Sequence, residues 1–174
     1  TQILVVSKTT RLGEKIAGKI AYELEFNIKL NAAYGRFRPS DAARPWRTSS
    51  GELELEGKNL GLRSGDLNLQ IRGSGQQILG MEADWVIADD ITDRRVANSE
   101  TASRDEWDWF LGDVLTRLAP DGKTFCIGQR VHSSDIYGRL AEERDDGGEF
   151  VWHLEKTPAI LDHDTKEVLW PELW

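Results

Sequence analysis

Trp85-Val86-Ile87-Ala88-Asp89-Asp90 is an apolar run that ends on two adjacent carboxylates. A short apolar run of this kind is typical of a buried β-strand. Neighbouring carboxylates repel each other and are costly to desolvate unless a metal ion, a proton or a cation balances them. In nucleotide hydrolases, one such acid binds the Mg²⁺ on the phosphates and its neighbour polarises the attacking water. We therefore predict that Asp89 and Asp90 form part of a magnesium and nucleotide site.

Two other interpretations of these acids stay open. Residues 90–93 have the composition of an Asx-type turn that caps the following segment, which would give the acids a structural role alone. Alternatively, Asp89, Asp90 and Asp93 could form the centre of a magnesium-dependent nuclease. Against the nuclease stands the fact that all three acids follow one strand, with no further acid cluster placed beside them by the sequence.

Strand and helix patterns alternate before this run. Residues 3–6 predict a strand, and apolar side chains then recur at helical spacing over residues 12–24. Residues 31–50 predict a surface loop. Residues 52–56 and 67–71 alternate apolar and polar side chains, which predicts a hairpin whose first strand lies at a sheet edge.

A helix and further strands are predicted after the acidic pair. Ser103 and Glu106 fit a capping box, and the apolar side chains of residues 107–118 fall on one helical face. Beyond it, the sequence predicts a turn at Pro120-Asp121-Gly122. A strand over 124–128, a helix over 134–143 and a strand over 150–154 follow. This order predicts an α/β fold with a mostly parallel sheet and functional groups at the carboxyl ends of strands.

Polar residues also follow the strand predicted at residues 124–128. Gln129 and Arg130 come directly after Gly128. Because parallel strands end at the same edge of a sheet, Gln129 is predicted to contact a phosphate or the attacking water. The alternative is a polar loop in which Ser134 or Asp135 caps the next helix.

Residues 13–20 match the phosphate-binding pattern GxxxxGK only superficially. Ile20 follows Lys19, so the magnesium-binding hydroxyl is missing, and the segment has the apolar period of a helix. We therefore expect this segment to be helical, and we expect the loop that grips phosphates to be absent from the chain.

A cluster of arginines lies among aromatic side chains in the predicted surface loop. This composition can follow a nucleic-acid backbone and stack on bases. The alternative is a solvated loop whose aromatic side chains anchor it to the core. The candidate DNA-binding residues are Arg36, Arg38, Arg44 and Arg47.

Composition narrows the class of protein. A chain of 174 residues with 39% hydrophobic residues fits one globular domain. The net charge of −8 is concentrated between residues 82 and 113, which argues against a surface that binds nucleic acid everywhere. Cys126 is the only cysteine, and no apolar run approaches the roughly 20 residues that span a bilayer. We expect a cytosolic protein without a membrane span, cut from a longer one.

Taken in order, these motifs resemble the ATPase domain of the large subunit of tailed-phage terminases, the motors that pump DNA into proheads. The resemblance covers almost the whole chain. It is carried by residues 73–80 leading into 83–90, by Trp109-Phe110, and by residues 115–122, 127–138, 158–160 and 169–172.

The resemblance implies a three-layer P-loop NTPase-like fold with helices on both faces of the sheet. Residues 1–174 would be a single, partial ATPase domain that lacks the phosphate-gripping loop and the nuclease domain. ATP and Mg²⁺ would be the cofactors, with Asp89 as the Walker B ligand of Mg²⁺ and Asp90 as the catalytic acid, where the family usually has Glu. Gln129 and Arg130 would lie in the coupling motif. Arg72 is the candidate for an arginine that acts across a subunit boundary, because Leu79 occupies the place expected for it.

The resemblance also implies partners and a location. The parent would translocate double-stranded DNA as a homo-oligomeric ring, together with a portal protein and a small terminase subunit. It would work in the cytoplasm of the bacterial host, at the prohead portal, and the present chain alone would be nearly inactive. The alternatives are a non-catalytic adaptor that binds DNA or portal, and a helicase-like ATPase.

Overall fold

The protein is described by a computed structural model for residues 1–40, 46, 48–55, 67–78, 80–158, 160–162 and 164–171. This part of the chain contains both helices and strands. In chain order they are β1 (Ile3–Ser7), α1 (Thr10–Phe26), α2 (Ile28–Tyr34), β2 (Glu52–Leu53), β3 (Leu69–Gly73), β4 (Ala83–Asp89), α3 (Arg94–Ala97), α4 (Glu100–Trp109), β5 (Leu118–Ile127), α5 (Ile136–Glu142), β6 (Ile160–Asp162) and β7 (Glu167–Val168).

Five strands form one sheet in the order β2-β3-β1-β4-β5. Strand β1 runs parallel to both β3 and β4, and β4 runs parallel to β5. Strand β2 pairs antiparallel with β3 at the edge of the sheet, so the predicted antiparallel pairing and the edge position are confirmed, whereas the predicted turn falls on residues 56–66, outside the described residues. Residue 56, the predicted end of the edge strand, lies outside the described residues. The fold is therefore α/β, with a mostly parallel sheet flanked by helices.

Helix α1 packs on the sheet through small side chains. Gly13, Ala17 and Ala21 are buried along one line of the helix, and a Cβ on Gly13 would lie 2.8 Å from Cγ2 of Ile71. The absence of larger side chains on this line lets the helix approach β3 closely. The predicted helix is confirmed, and the rejected phosphate-binding match at residues 13–20 lies inside it.

Alternate residues of β1 and β4 face opposite sides of the sheet. Val5 belongs to the buried cluster formed with α1, whereas Leu4, Val6, Val86 and Ala88 are fully buried on the other side. Burial on both faces explains why β1 is apolar from Ile3 to Val6, whereas in β4 Val86 and Ala88 are buried and Trp85 is 37% exposed. No helix in the described ranges is both long and apolar enough to cross a membrane.

The predicted capping box at Ser103 and Glu106 is wrong. Helix α4 begins at Glu100, and the hydroxyl of Ser99 accepts a hydrogen bond from the amide of Ala102 at 3.3 Å. Ser103 and Glu106 are instead buried inside the helix. A π-helical turn over Phe110–Val114 and a 3-10 turn over Leu115–Arg117 extend the helical segment towards β5.

The predicted turn at residues 120–122 is also wrong as an independent turn. These residues lie within β5, where the pairing with β4 shifts register. Ala83 pairs with Leu118, but Trp85 pairs with Lys123, so β5 has three additional residues at this point. Proline and glycine are therefore accommodated in a bulge, which is where a strand tolerates them.

Residues Thr1–Gly138 form one compact unit and Arg139–Trp174 form a second. In the second unit the predicted strand over 150–154 is wrong, because Phe150 pairs only with Arg144, in an isolated bridge. The carboxylate of Asp145 accepts hydrogen bonds from the amides of Gly147 and Glu149. These hydrogen bonds stabilise a tight turn between Arg144 and Phe150, the two residues of the bridge. Strands β6 and β7 form a short hairpin that the sequence did not predict.

Candidate functional site

Four parallel strands, β3, β1, β4 and β5, bring their carboxyl ends together at one edge of the sheet. Ser7 at the end of β1 is the register partner of Asp89 at the end of β4, and Asp89 is the partner of Ile127 at the end of β5. The loop with Gly128 and Gln129 follows Ile127 directly. The structure therefore places the acidic pair beside the polar loop, as adjacent parallel strands require.

The two adjacent acids differ in environment. Asp89 is half-buried as the last residue of β4, whereas Asp90 is exposed. Asp90 has a φ of 49°, in the left-handed region that aspartate tolerates better than most residues. Its amide donates a hydrogen bond of 2.8 Å to the carbonyl oxygen of Ile127. The chain thus turns sharply at Asp90 while remaining attached to the neighbouring strand.

Asp93 has a structural role. It is the N-cap of α3, and its Oδ1 accepts a hydrogen bond of 2.9 Å from the amide of Val96. This hydrogen bond, supported by the charge of Lys8, lowers the pKa of Asp93. The capping interpretation is therefore confirmed for Asp93, and a nuclease centre built on three acids would have to share this carboxylate with the cap.

Lys8 balances two acids near this edge. Its Nζ lies 3.4 Å from Oε1 of Glu106 and 3.8 Å from Oδ2 of Asp93. Burial raises the pKa of Glu106, opposed by the nearby Thr92 hydroxyl and by Lys8. The sequence did not reveal this cluster, because Lys8 and Glu106 lie 98 positions apart along the chain.

The loop after β5 is organised around Asp135. This fully buried carboxylate accepts hydrogen bonds from the amides of Val131, His132 and Gly138, at 2.7, 3.0 and 2.8 Å. The last of these bonds lies at the start of α5, so the alternative that Asp135 caps this helix is confirmed. Nε of Arg130 lies 3.1 Å from Oδ1 of Asp135. Arg130 is thus held by its own loop, whereas Gln129 is exposed.

Tyr137 is a second residue that sequence reasoning missed. It is only 9% exposed, and its hydroxyl contacts backbone groups at the ends of both β4 and β5. Burial raises the pKa of Tyr137 above its ordinary value, and the carboxylate of Asp90 contributes further. The hydroxyl therefore stays protonated and can both donate and accept. The sequence offered one signal, Gly128, because a glycine at a strand end can allow a close approach.

Arg72 lies at the end of β3, at the same edge of the sheet but two strands away from β4: Gly73, which follows it, is the register partner of Ser7. Its Nη2 lies 2.9 Å from Oε1 of Glu52, and its Nη1 donates to the carbonyl oxygen of Ser50 at 2.9 Å. Its side chain is about one-fifth exposed. An arginine held in this way would have to leave Glu52 before it could act on a neighbouring subunit. Leu79, the position where the family's arginine was expected, is outside the described residues.

The arginine cluster is described only in part. Nε of Arg36 donates to the carbonyl oxygen of Arg38 at 2.8 Å, and Arg38 forms an ion pair with Glu25. Arg44 and Arg47 lie outside the described residues. Glu25 thus already balances the charge of Arg38, which weakens its attraction for phosphates.

The described residues do not by themselves complete a metal site. In the part of the chain that the structure describes, no group of three histidine, cysteine, aspartate or glutamate side chains is placed to hold a metal ion. Mg²⁺ in nucleotide sites is typically bound by one or two carboxylates, with phosphate oxygens and water completing the shell. Asp89 and Asp90 fit this second kind of site, in which the substrate delivers the metal.

Comparisons with known proteins add no identification. No protein-family model matches the chain, and no curated protein sequence matches it significantly. The geometry of the sheet edge and the motif resemblance are therefore what point to a function.

Proposed function

We propose that this chain is part of the ATP-hydrolysing motor of a tailed-phage terminase large subunit, which packages double-stranded DNA into the prohead. The observation that supports it most is the position of Asp89 and Asp90. They lie at the carboxyl end of an interior strand of a parallel sheet, beside the exposed Gln129 on the next strand end. Open α/β sheets bind ligands at this edge.

Each residue at the edge has a role in the proposal. The half-buried Asp89 binds the Mg²⁺ that accompanies the phosphates of ATP, and the exposed Asp90 orients the attacking water. Gln129 contacts the terminal phosphate and reports its loss. The ion pair of Arg130 with Asp135 orders the loop that carries Gln129. The proposed fold is a three-layer P-loop NTPase-like domain, and ATP and Mg²⁺ are its substrate and cofactor.

The proposal requires a phosphate-gripping loop from a part of the parent outside this chain. Strand β5 lies at one edge of the described sheet. The rings of Trp85 on β4 and Phe125 on β5 stack with their centroids 5.5 Å apart, and the two residues are 37% and 50% exposed. Parallel sheets are normally covered on both faces. The exposed aromatic pair, on the same sheet face as Asp89, supports the view that further polypeptide covers this side in the parent.

The partners follow from the same proposal. The parent would act as a homo-oligomeric ring with a portal protein and a small terminase subunit, at the prohead portal in the host cytoplasm. Contact with DNA would involve Arg36 and the other arginines of its cluster. Arg72 remains the proposed arginine that acts across the subunit boundary.

The test compares ATP turnover by the longer parent protein and by the 174-residue chain. The parent should hydrolyse ATP with Mg²⁺, and the chain alone should be nearly inactive, because phosphate contacts that stabilise the transition state are missing. In the parent, Asp89→Ala should abolish the magnesium-dependent turnover. Asp105→Ala, which removes an exposed acid on α4, is the control and should leave it unchanged. Unchanged turnover in Asp89→Ala would contradict the proposal.

A further inference from the structure

Tyr137 joins the two strand ends that carry the proposed catalytic groups. Its hydroxyl oxygen accepts a hydrogen bond of 3.1 Å from the amide of Ile91, the residue directly after Asp90. The same hydroxyl donates a hydrogen bond of 3.0 Å to the carbonyl oxygen of Ile127, at the end of β5. One buried side chain on α5 therefore spans the gap between β4 and β5 at the carboxyl edge.

The bond from Ile91 bears directly on the conformation of Asp90. The amide of Ile91 belongs to the peptide group that follows Asp90, and the amide of Asp90 itself is bonded to Ile127 at 2.8 Å. Both peptide groups that flank the left-handed Asp90 are thus attached to the end of β5. Such a backbone conformation persists only where its surroundings fix it. The hydroxyl of Tyr137 supplies one of the two attachments.

The contact with the polar loop is equally close. A Cβ placed on Gly128 would lie 2.0 Å from the hydroxyl oxygen of Tyr137 and 2.2 Å from Cζ of its ring. Tyr137 can occupy this place only because residue 128 has no side chain. The ring therefore packs against the backbone immediately before Gln129, while its hydroxyl holds the turn at Asp90.

We propose that Tyr137 is a positioning residue that fixes Asp90 relative to the loop carrying Gln129. The proposal deepens the function proposed above and rests on it for its catalytic consequence. Tyr137 itself does not touch the substrate. Its hydroxyl holds the Asp90 backbone against β5. The distance between the Asp90 carboxylate, which orients water, and the Gln129 side chain, which contacts the terminal phosphate, is therefore fixed.

The first experiment uses Tyr137→Phe in the longer parent protein, which keeps the ring and removes both hydrogen bonds. We expect kcat for ATP to fall about 10-fold or more, because small misplacements of catalytic groups are costly, while KM for ATP changes less than about 2-fold. Tyr22→Phe, on the exposed side of α1, is the control and should match the wild type. A wild-type kcat in a folded Tyr137→Phe protein would overturn the proposal.

A second variant tests whether the two contacts act together. Gly128→Ala should displace the Tyr137 ring and lower kcat in the same way. Because both changes break one bridge, the double variant with Tyr137→Phe should be no slower than Gly128→Ala alone. Losses that multiply in the double variant would show independent effects and would contradict the proposal.

Amide hydrogen exchange separates this proposal from the proposed function. In Tyr137→Phe, the Ile91 amide should exchange at least about 10-fold faster than in the wild type, since its acceptor is gone. Unchanged exchange would overturn the positioning role, whatever the activity. Absence of ATP turnover in the wild type would refute the proposed function instead, and faster exchange at Ile91 would still support the attachment of the turn by Tyr137.

Discussion

Lys8 Nζ lies 3.4 Å from Oε1 of Glu106, an ion pair that joins the end of β1 to α4. The Glu106 side chain is 5% exposed and that of Lys8 is 19% exposed. Lys8→Met should therefore leave a buried carboxylate without its cation and lower the free energy of unfolding by about 2–3 kcal/mol, somewhat less than a fully buried pair would lose. Urea unfolding of the 174-residue chain at pH 7 measures this.

The double variant of Lys8→Met with Glu106→Gln is the matched control. It removes the uncompensated charge and should recover most of the lost stability. If Lys8→Met alone were as stable as the wild type, the ion pair would not contribute to the fold as described.

The pH dependence of stability should contain a component from Glu106. Burial raises the pKa of Glu106 in the folded state. The stability that Glu106 contributes is therefore fully present below the ordinary pKa of a glutamate, and it is lost as the pH rises through the raised pKa. Glu106→Gln removes this component. Relative to the variant, the wild type should therefore lose stability between about pH 4.5 and the raised pKa.

Urea unfolding of both proteins across this range measures the difference. Glu100 is an exposed glutamate on the same helix, so Glu100→Gln is the control for removing a carboxylate that is not buried. A constant difference between Glu106→Gln and the wild type at every pH would show that Glu106 is not desolvated.

Two glycines should respond to alanine in opposite directions. A Cβ on Gly73 would lie 2.7 Å from the amide nitrogen of Thr10 and 3.1 Å from the carbonyl carbon of Thr9, so backbone atoms must move. Gly73→Ala should lower the free energy of unfolding by about 1–3 kcal/mol. Gly18 lies inside α1, where an added Cβ would meet open space among the described residues, so Gly18→Ala should raise the free energy of unfolding by about 0.5–1 kcal/mol.

Thermal unfolding by circular dichroism compares both glycine variants with the wild type. A Gly73→Ala protein as stable as the wild type would mean that the end of β3 does not approach the start of α1 as closely as described.

The parts of the fold that the sequence predicted are those with a local periodic signal. Residues 3–6 and 85–88 are apolar runs that form the interior strands β1 and β4, and α1 shows its helical period directly. The pairing of β2 with β3 also follows from alternation. In each case, residues close together along the chain determine the element.

The errors arose where distant partners decide the structure. Ser103 and Glu106 match a capping pattern, but the N-cap of α4 is Ser99, and Glu106 is instead buried against Lys8. Residues 150–154 have strand-forming side chains, but Phe150 pairs with Arg144 alone. Local pattern could not reveal either outcome.

The candidate site shows the same division. The sequence placed Asp89 and Gln129 at neighbouring strand ends, because parallel strands share an edge. It did not reveal Tyr137, whose hydroxyl contacts residues 46 positions before it and 10 positions before it. Nor did it show that Arg130 is held by Asp135. Such side-chain partners depend on how the loops fold back on the sheet.

The most direct measurement of the central claim is magnesium-dependent ATP turnover by the longer parent protein carrying Asp90→Asn or Asp90→Glu. Asparagine keeps the size of the side chain but removes the charge that polarises water, so kcat should fall about 100-fold or more. Glutamate keeps the charge and should retain much more of the activity than asparagine. Wild-type turnover by a folded Asp90→Asn protein would contradict the account.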